Sequence, residues 1–246
     1  MRFNPLKAAS HAINIAKTIT STHQILNTKA ADPHLLQDIF KMQEALDGTP
    51  NGERSINFQL ENKEMKLLWQ EKWQPERINL NKLKNLPEKS LGKVYANNLI
   101  RQGFTPDELL DLDPYPITNK KEFVIHRSWQ VHDIIHTLTG FDVNSEGELG
   151  VQAFEFAQTQ SPTALFLIFG LLFRFNGLLW KDHDFYQTLK ALARGFTLGS
   201  NAKKFVYAIK LEEQMSRPLN DLRKELGLPT EEDTSSKFIQ PYFYNF

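Results

Sequence analysis

The chain has 246 residues, enough for a substantial hydrophobic core, and a formal net charge of zero. This charge gives no indication of nucleic-acid binding, and the absence of cysteine excludes disulfides, thiolate metal sites and cysteine catalysis. Any bound metal must therefore have nitrogen and oxygen ligands. The most apolar run, 164–173, stops at Arg174, well short of the ~20 residues that a membrane-spanning helix needs.

Helical periodicity and helix-start signals recur along the chain, whereas strand patterns are nearly absent. We expect a turn at 48–52, irregular chain at 75–83 and a break at Gly199-Ser200. The predicted helices are 6–26, 33–46, 61–73, 90–101, one starting after Thr105, 119–139, 146–158, 162–180, 184–198, 201–217 and 219–226. The pattern predicts an all-α fold, a single compact domain over 1–246 of roughly eight to ten helices.

Both ends of the chain have a biased composition. The first 31 residues contain four basic residues and no acidic one, which fits a basic helix facing a membrane, a weak transit peptide or an ordinary N-terminal helix. The last eight residues, 239–246, are rich in aromatic side chains. We expect this tail to dock on another surface.

The predicted helix 119–139 carries His132 and His136, which lie on one face because they are four residues apart. Asp133 is about 100° further round the helix, close enough to reach a shared ion. Glu148 follows on the next predicted helix. Two imidazoles and two carboxylates suit a divalent metal ion.

An apolar stripe occupies another side of the same helix and comprises Val131, Ile134, Ile135 and Leu138. His132, His136 and Trp129 point roughly 130° away from its centre. We therefore expect the stripe to enter the core and the histidines to face a polar site.

Two of the candidate ligands, Glu148 and Asp133, also have a structural interpretation. Glu148 follows Ser145 by three residues, the spacing of a helix capping box. Asp133 could orient a ligand imidazole rather than bind the ion.

Two other classes of metal enzyme are disfavoured. Zinc proteases have a longer glutamate at this position of their His-Glu-x-x-His motif, which disfavours protease chemistry here. All-α phosphohydrolases with a His-Asp pair need a further upstream histidine, for which His126 is poorly placed.

The sequence around the histidines resembles the motif of the Coq4 family of ubiquinone (coenzyme Q) biosynthesis proteins. The matching residues are His132-Asp133-x-x-His136-x-x-x-Gly140 and, six residues later, Gly147-Glu148. Further similarity lies in Leu86–Tyr95, Leu149–Gln158 and Pro218–Gly227. The resemblance thus covers roughly residues 80 to 228.

The resemblance implies a divalent metal, usually zinc, held by His132, Asp133, His136 and Glu148; iron, magnesium or manganese are alternatives. It implies action on a polyprenylated hydroxybenzoate, whose ring C1 carboxyl is removed and replaced by hydroxyl, with His132 and Asp133 as catalytic residues. It also implies a homo-oligomer that works with other quinone-biosynthesis proteins at a membrane surface. The setting would be the cytoplasmic side, or the matrix side of the inner mitochondrial membrane in a eukaryote.

Phe166, Phe169 and Phe173 share one face of the predicted helix 162–180, and Arg174 follows them. A core explains such a stripe more often than a lipid channel does. Eighteen phenylalanines are nevertheless a high share, and an isoprenoid tail needs a long apolar groove. We therefore expect the three phenylalanines to contact lipid and Arg174 to meet an anionic head group. Arg127 and Lys120-Lys121 are alternatives for that head group, or solvated surface charges.

Three functions follow from these patterns. The first is a metal-dependent decarboxylase of prenylated quinone precursors. The second is a non-catalytic scaffold that binds isoprenoid lipids around a structural metal. The third is a metal-dependent phosphohydrolase. An open metal position beside an apolar channel would favour the first, and closed coordination by four protein ligands would favour the second.

Overall fold

The computed structural model describes residues 42–43, 45–76, 78–101, 117–175 and 185–231. Within these ranges every regular element is a helix, apart from an isolated β-bridge between Ser90 and Pro218. The prediction of an all-α fold is therefore confirmed. The predicted helix 6–26, the helix after Thr105, the basic segment 1–31 and the aromatic tail lie outside the described residues.

Nine α-helices and two 3-10 helices have described bounds in this part of the chain, in agreement with the predicted number, and residues 42–43 and 45–47 are helical as well. The α-helices are α1 (Pro50–Glu61), α2 (Lys63–Gln70), α3 (Leu80–Lys84), α4 (Leu91–Arg101), α5 (Lys120–Thr139), α6 (Ser145–Thr159), α7 (Pro162–Phe175), α8 (Phe185–Asn201) and α9 (Leu219–Leu226). The 3-10 helices, Val206–Ala208 and Leu211–Gln214, lie between α8 and α9. None of the described helices is both long and apolar enough to cross a bilayer.

Polar caps start helices where the sequence pattern predicted turns or irregular chain. The Thr49 hydroxyl accepts a hydrogen bond from the Gly52 amide at 3.2 Å, so α1 begins inside the predicted turn. Helix α1 itself was not predicted. Asn62 has an extended backbone and accepts from the Met65 amide, so α2 begins at Lys63, two residues after the start of the predicted helix 61–73. Asn79 caps the short α3 within the segment expected to be irregular.

Two glycines of α8 explain why the predicted break at Gly199-Ser200 is wrong. A Cβ atom at Gly195 would lie 2.0 Å from the Gly150 carbonyl oxygen of α6, and one at Gly199 would lie 2.6 Å from the Phe154 carbonyl oxygen. These glycines therefore allow two helix backbones to touch, and α8 continues to Asn201. The predicted helix 201–217 is replaced by irregular chain with the two 3-10 helices.

The apolar stripe of α5 enters the main core as predicted. Val131, Ile134, Ile135 and Leu138 are all fully buried, in a cluster with side chains of α4, α6, α8 and α9. At their usual ~1.5–3 kcal/mol per buried aliphatic side chain, these four contribute strongly to holding α5 in place. The histidine-bearing side of α5 is thereby turned toward α6.

Two arginines hold the last turn of α5, where His136 lies. Arg194 of α8 donates to the Thr139 carbonyl at 2.7 Å, and Arg223 of α9 donates to two carbonyls of the same turn at 2.9 and 3.0 Å. Gly140, with φ of 72°, closes the helix through its amide and the His136 carbonyl. The arginines satisfy carbonyls that a helix end leaves unpaired and complement its negative dipole end.

Arg127 is neither a solvated charge nor a head-group ligand, in contrast to the sequence interpretation. Its guanidinium is completely buried, donates to the Tyr207 carbonyl at 2.9 Å and lies 2.6 Å from the Glu212 carboxylate. The Trp73 ring stacks against it, with its centroid 4.9 Å away. Arg127 thus links α5 to the two 3-10 helices. Lys120 is exposed and donates to Asn57.

Candidate metal centre

The candidate site lies between α5 and the first turn of α6. Asn144, rather than Ser145, caps α6: its side-chain oxygen accepts from the Gly147 amide at 2.8 Å. The capping-box interpretation of Glu148 is therefore wrong. Since its carboxylate is not needed as a cap, it faces the imidazoles of His132 and His136.

The Glu148 carboxylate lies between the two imidazoles. One of its oxygens is 3.3 Å from His132 Nε2 and the other is 3.3 Å from His136 Nε2. The ring centroids of the histidines are 5.0 Å apart, and one ligand atom from each of the three residues lies within 4.8 Å of the others. These separations allow a single cation to bind all three side chains after small rotations.

His136 is prepared for a cation by its surroundings. Its Nδ1 lies 3.3 Å from the Phe141 carbonyl, which can only accept, so Nδ1 carries the proton of the neutral ring and Nε2 carries the lone pair. That Nε2 is buried and has no hydrogen-bond partner of normal geometry. Buried polar atoms are nearly always satisfied. A divalent ion at this point would supply the missing partner, so the residues present fit a metal.

Asp133 is the predicted ligand that does not join this group. Among the described residues, the group able to share one ion consists of His132, His136 and Glu148. Asp133 is partly buried beside them; burial raises the pKa of its carboxyl, and the two imidazoles act in the opposite direction. Its role as a ligand stays a prediction, and its position suits a residue that adjusts the charge around the ion.

His132 and Glu148 form a charged pair in the ion-free protein. Burial lowers the pKa of His132, but the hydrogen bond and charge of Glu148 outweigh it and raise the value to about 9. Burial raises the pKa of Glu148, but the two neighbouring imidazoles outweigh it and hold the value far below its ordinary range. The side chains are 22% and 34% exposed, respectively, so solvent reaches one edge of the site.

Glu155 is a further buried carboxylate that the sequence interpretation missed. It lies two helical turns beyond Glu148 on α6, where burial raises its pKa and the charge of His132 and the Ser128 and Tyr207 side chains lower it. Its seven-residue spacing from Glu148 places both carboxylates on the same side of the helix. This spacing is a signal that could have identified it from the sequence.

The predicted lipid-contacting residues belong to α7. Phe166 and Phe169 are exposed, so a core position does not account for them. Phe173 and Arg174 belong to the last turn of α7, and their side chains are outside the described set. The role of all four in lipid binding stays a prediction.

The ion-free protein is expected to lose stability as the pH rises from about 6.5 to 9. The folded pKa of His132 is raised, so its charge stabilises the fold fully below the unfolded value near 6.5 and no longer does so above about 9. The corresponding loss is on the order of 2 to 3 kcal/mol. Urea denaturation of the wild type and His132→Gln in chelator, at pH 6 and pH 9, measures it.

The comparison between these two proteins removes the contributions of other titrating groups. Their difference in unfolding free energy should be large at pH 6 and small at pH 9. The Glu148 charge contributes over the same interval, because its lowered pKa removes that contribution only in strong acid. An equal difference at both pH values would show that the His132–Glu148 pair does not stabilise the fold.

Known proteins resemble this chain in sequence. Ubiquinone biosynthesis protein coq4, mitochondrial, of Talaromyces marneffei is 32% identical over 196 residues, which are 79% of this chain and 62% of that protein. Ubiquinone biosynthesis protein coq-4, mitochondrial, of Neurospora crassa is 30% identical over 153 residues, 62% of this chain and 42% of that protein. The chain therefore spans roughly half the length of these curated relatives.

A solved structure shares the fold. It is the crystal structure of a candidate ubiquinone biosynthesis protein from Nostoc punctiforme PCC 73102, with a TM-score of 0.74 and 26% sequence identity. The match covers 88% of this chain and 99% of the other. The profile of the family described as coenzyme Q (ubiquinone) biosynthesis protein Coq4 matches residues 57–232, which include the whole candidate site. The chain belongs to the Coq4 family of ubiquinone biosynthesis proteins.

Proposed function

We propose that this chain is a metal-dependent enzyme of ubiquinone biosynthesis that removes the C1 carboxyl of a polyprenylated hydroxybenzoate. The observation that supports a metal is the buried His136 Nε2, which makes no hydrogen bond of normal geometry and lies 3.3 Å from the Glu148 carboxylate beside His132. Three protein ligands of this kind are typical of catalytic zinc sites, which keep one position open. Zinc is our first choice of ion, with iron, magnesium or manganese as alternatives.

A bound divalent ion would act as a Lewis acid that stabilises negative charge on the ring as carbon dioxide leaves. The chain's own residues prepare the site for this. The Phe141 carbonyl fixes the His136 tautomer, and Glu148 offers one oxygen to each side of the cation. We propose that His132 contributes to the reaction through the ion that it helps to hold, and that Asp133 transfers protons at the ring. Replacement of carboxyl by hydroxyl is an oxidation, so an oxidant such as dioxygen must be supplied, and zinc itself is redox-silent.

The lipid nature of the proposed substrate agrees with the exposed phenylalanines of α7. An isoprenoid tail gains ~0.8 kcal/mol per buried CH₂ group, so an apolar surface near the site is needed to hold it. We also propose that the protein works at a membrane surface, as a homo-oligomer and beside other quinone-biosynthesis proteins. In a eukaryotic host this surface would be the matrix side of the inner mitochondrial membrane, and in a bacterial host the cytoplasmic side.

The test is release of labelled carbon dioxide from a short-chain prenylated 4-hydroxybenzoate labelled at its carboxyl carbon. The metal-loaded protein should release it in air, and His132→Ala should reduce the rate by roughly 100-fold or more. Metal content measured in the same samples separates loss of the ion from loss of chemistry. A wild type that holds metal and lipid without any turnover is instead a scaffold. Phosphate release from nucleotides, abolished by the same variant, would identify a phosphohydrolase.

A further inference from the structure

A buried carboxylate of α6 lies close to the metal centre without belonging to its ligand group. Glu155 is only 8% exposed and follows Glu148 by seven residues, so both carboxylates project from the same side of the helix. Among the described residues, the group that can share one ion does not include Glu155. Because an ionised carboxylate is costly to bury without a specific partner, Glu155 needs a cation or a hydrogen-bond donor nearby.

Ser128 shows which side of α5 this carboxylate faces. It is buried one helical turn before His132, so the two side chains lie on the same face of α5. Burial raises the pKa of Glu155, whereas the positive charge of His132 and the Ser128 hydroxyl lower it. Glu155 therefore reaches across from α6 to the face of α5 that Ser128 and His132 share.

Tyr207 encloses the carboxylate from another side. Its ring is completely buried, and burial together with the charge of Glu155 raises the pKa of its hydroxyl well above the ordinary value. The hydroxyl makes no hydrogen bond of normal geometry, while the Tyr207 carbonyl accepts from Arg127 at 2.9 Å. The backbone beside the carboxylate is thus fixed to α5. The surroundings of Glu155 are therefore part of the fold and do not depend on an ion.

Binding of an ion leaves one hydrogen of the His132 ring to be satisfied. In the ion-free protein, His132 Nε2 lies 3.3 Å from the Glu148 carboxylate. An ion at Nε2 requires the ring proton to be on Nδ1. Ligand histidines almost always donate this second N–H to a carboxylate, a backbone carbonyl or water. The acceptor for His136 is the Phe141 carbonyl at 3.3 Å. His132 needs an acceptor of its own.

Two carboxylates other than Glu148 lie near the His132 ring. Burial lowers the pKa of His132, and the charges of Glu148, Asp133 and Glu155 raise it. Asp133 is the next residue on the same helix, and adjacent side chains diverge by about 100° and do not face each other. Glu155 instead approaches from the facing helix, beside Ser128. Glu155 is therefore the better-placed acceptor for the His132 ring.

We propose that Glu155 accepts a hydrogen bond from His132 Nδ1 when an ion occupies Nε2, and thereby holds this imidazole in the orientation that the ion requires. Glu155 is a positioning residue, because it acts through His132 and does not bind the ion. A carboxylate in this place also makes the imidazole a stronger ligand. The inference rests on the metal site of the proposed function and is independent of the reaction that follows.

The zinc affinity of three variants tests this role. Competition with a chelating dye should show that Glu155→Gln, which keeps a neutral acceptor, binds Zn²⁺ about 10-fold more weakly than the wild type. Glu155→Leu keeps no acceptor and should bind about 100-fold more weakly. Asp47→Asn is the matched control, because Asp47 is 6% exposed, interacts with Glu155 and lies outside the ligand group. It should keep the wild-type affinity. Circular dichroism shows that each variant is folded.

The ring N–H signals of the histidines give a readout that a merely structural role would not move. In zinc-loaded protein with isotope-labelled histidine, the Nδ1 hydrogens of His132 and His136 should both exchange slowly with water by NMR. Glu155→Leu should speed this exchange at His132 and leave His136 unchanged, because the acceptor of His136 is the Phe141 carbonyl. If the leucine variant does not fold, the affinities of Glu155→Gln and Asp47→Asn decide.

The outcomes separate this inference from the proposed function. A wild type that binds no zinc overturns the metal site and the role of Glu155 together. Wild-type affinity in the Glu155 variants, or an equal loss in Asp47→Asn, overturns the role of Glu155 and leaves the metal site standing. Faster exchange at His132 and His136 alike would reveal a general loosening of the fold, which also overturns it. Absence of carbon dioxide release from zinc-loaded protein, by contrast, refutes the decarboxylase alone.

Discussion

His136→Ala is expected to abolish metal binding. The variant removes the buried Nε2, which makes no hydrogen bond of normal geometry, and leaves His132 and Glu148 with solvent on one side. Loss of one of three protein ligands should weaken affinity by roughly 100-fold or more, beyond the 10- to 100-fold typical for residues behind the ligands. Elemental analysis after dialysis, followed by titration with Zn²⁺ against a chelating dye, measures both occupancy and affinity.

His126→Ala is the matched control. His126 lies on the same helix, is half-buried and is outside the group of three, so the variant should keep its metal. Asp133→Asn gives a second comparison: a loss as large as that of His136→Ala would make Asp133 a ligand, and a 10- to 100-fold loss would make it an outer residue. Stoichiometric metal in His136→Ala at wild-type affinity would rule the site out.

Arg127→Met is expected to destabilise the fold by about 3–5 kcal/mol. The substitution removes the cation but leaves the Glu212 carboxylate, only 6% exposed, without the positive charge that pairs with it. The Tyr207 carbonyl also loses its donor. Urea denaturation should show a lower midpoint with an unchanged slope, which identifies a loss of stability rather than a change in the unfolded state.

Arg101→Met provides the control for this prediction. Arg101 pairs with Asp142 at 3.4 Å, but both side chains are more than half exposed, so the variant should cost under ~1 kcal/mol. Adding Glu212→Gln to Arg127→Met should recover part of the loss, because the unpaired buried charge is then removed. Equal effects of Arg127→Met and Arg101→Met would mean that burial does not strengthen the Arg127 pair.

Hydrophobic periodicity predicted the long helices well because tertiary contacts reinforce it there. The bounds expected for α5 were 119–139, and the helix is Lys120–Thr139 with Asn119 as its cap. Periodicity failed where a single capping or packing contact decides where a helix begins or ends. Helix α1 was not predicted, and it begins where the Thr49 hydroxyl accepts from the Gly52 amide. Gly199 reads as a break in isolation, but in the fold it lets α8 touch the backbone of α6. Such contacts between distant segments leave no local pattern.

Three residues of the candidate site could be predicted from the sequence, but the position of Asp133 and the burial of Arg127 could not. The four-residue spacing identified His132 and His136, and the motif added Glu148; the structure brings these three together. Asp133 follows the same motif, yet among the described residues the group that can share one ion does not include it. Arg127 is a charged residue, which suggests an exposed position, but its side chain is buried in the fold. Its partner Glu212 is 85 residues away, so no local rule could pair them.

The close contact between α6 and α8 has a mechanical consequence. The backbones of α6 and α8 touch at Gly150 and Gly195, which leaves no room for one helix to slide along the other, so we expect the two helices to move together. Arg194 of α8 also donates a hydrogen bond to the final turn of α5. Helix α8 thus contacts both α5 and α6, the two helices that carry the candidate metal ligands. A shift of α8 would change the spacing of the ligands without altering any of them.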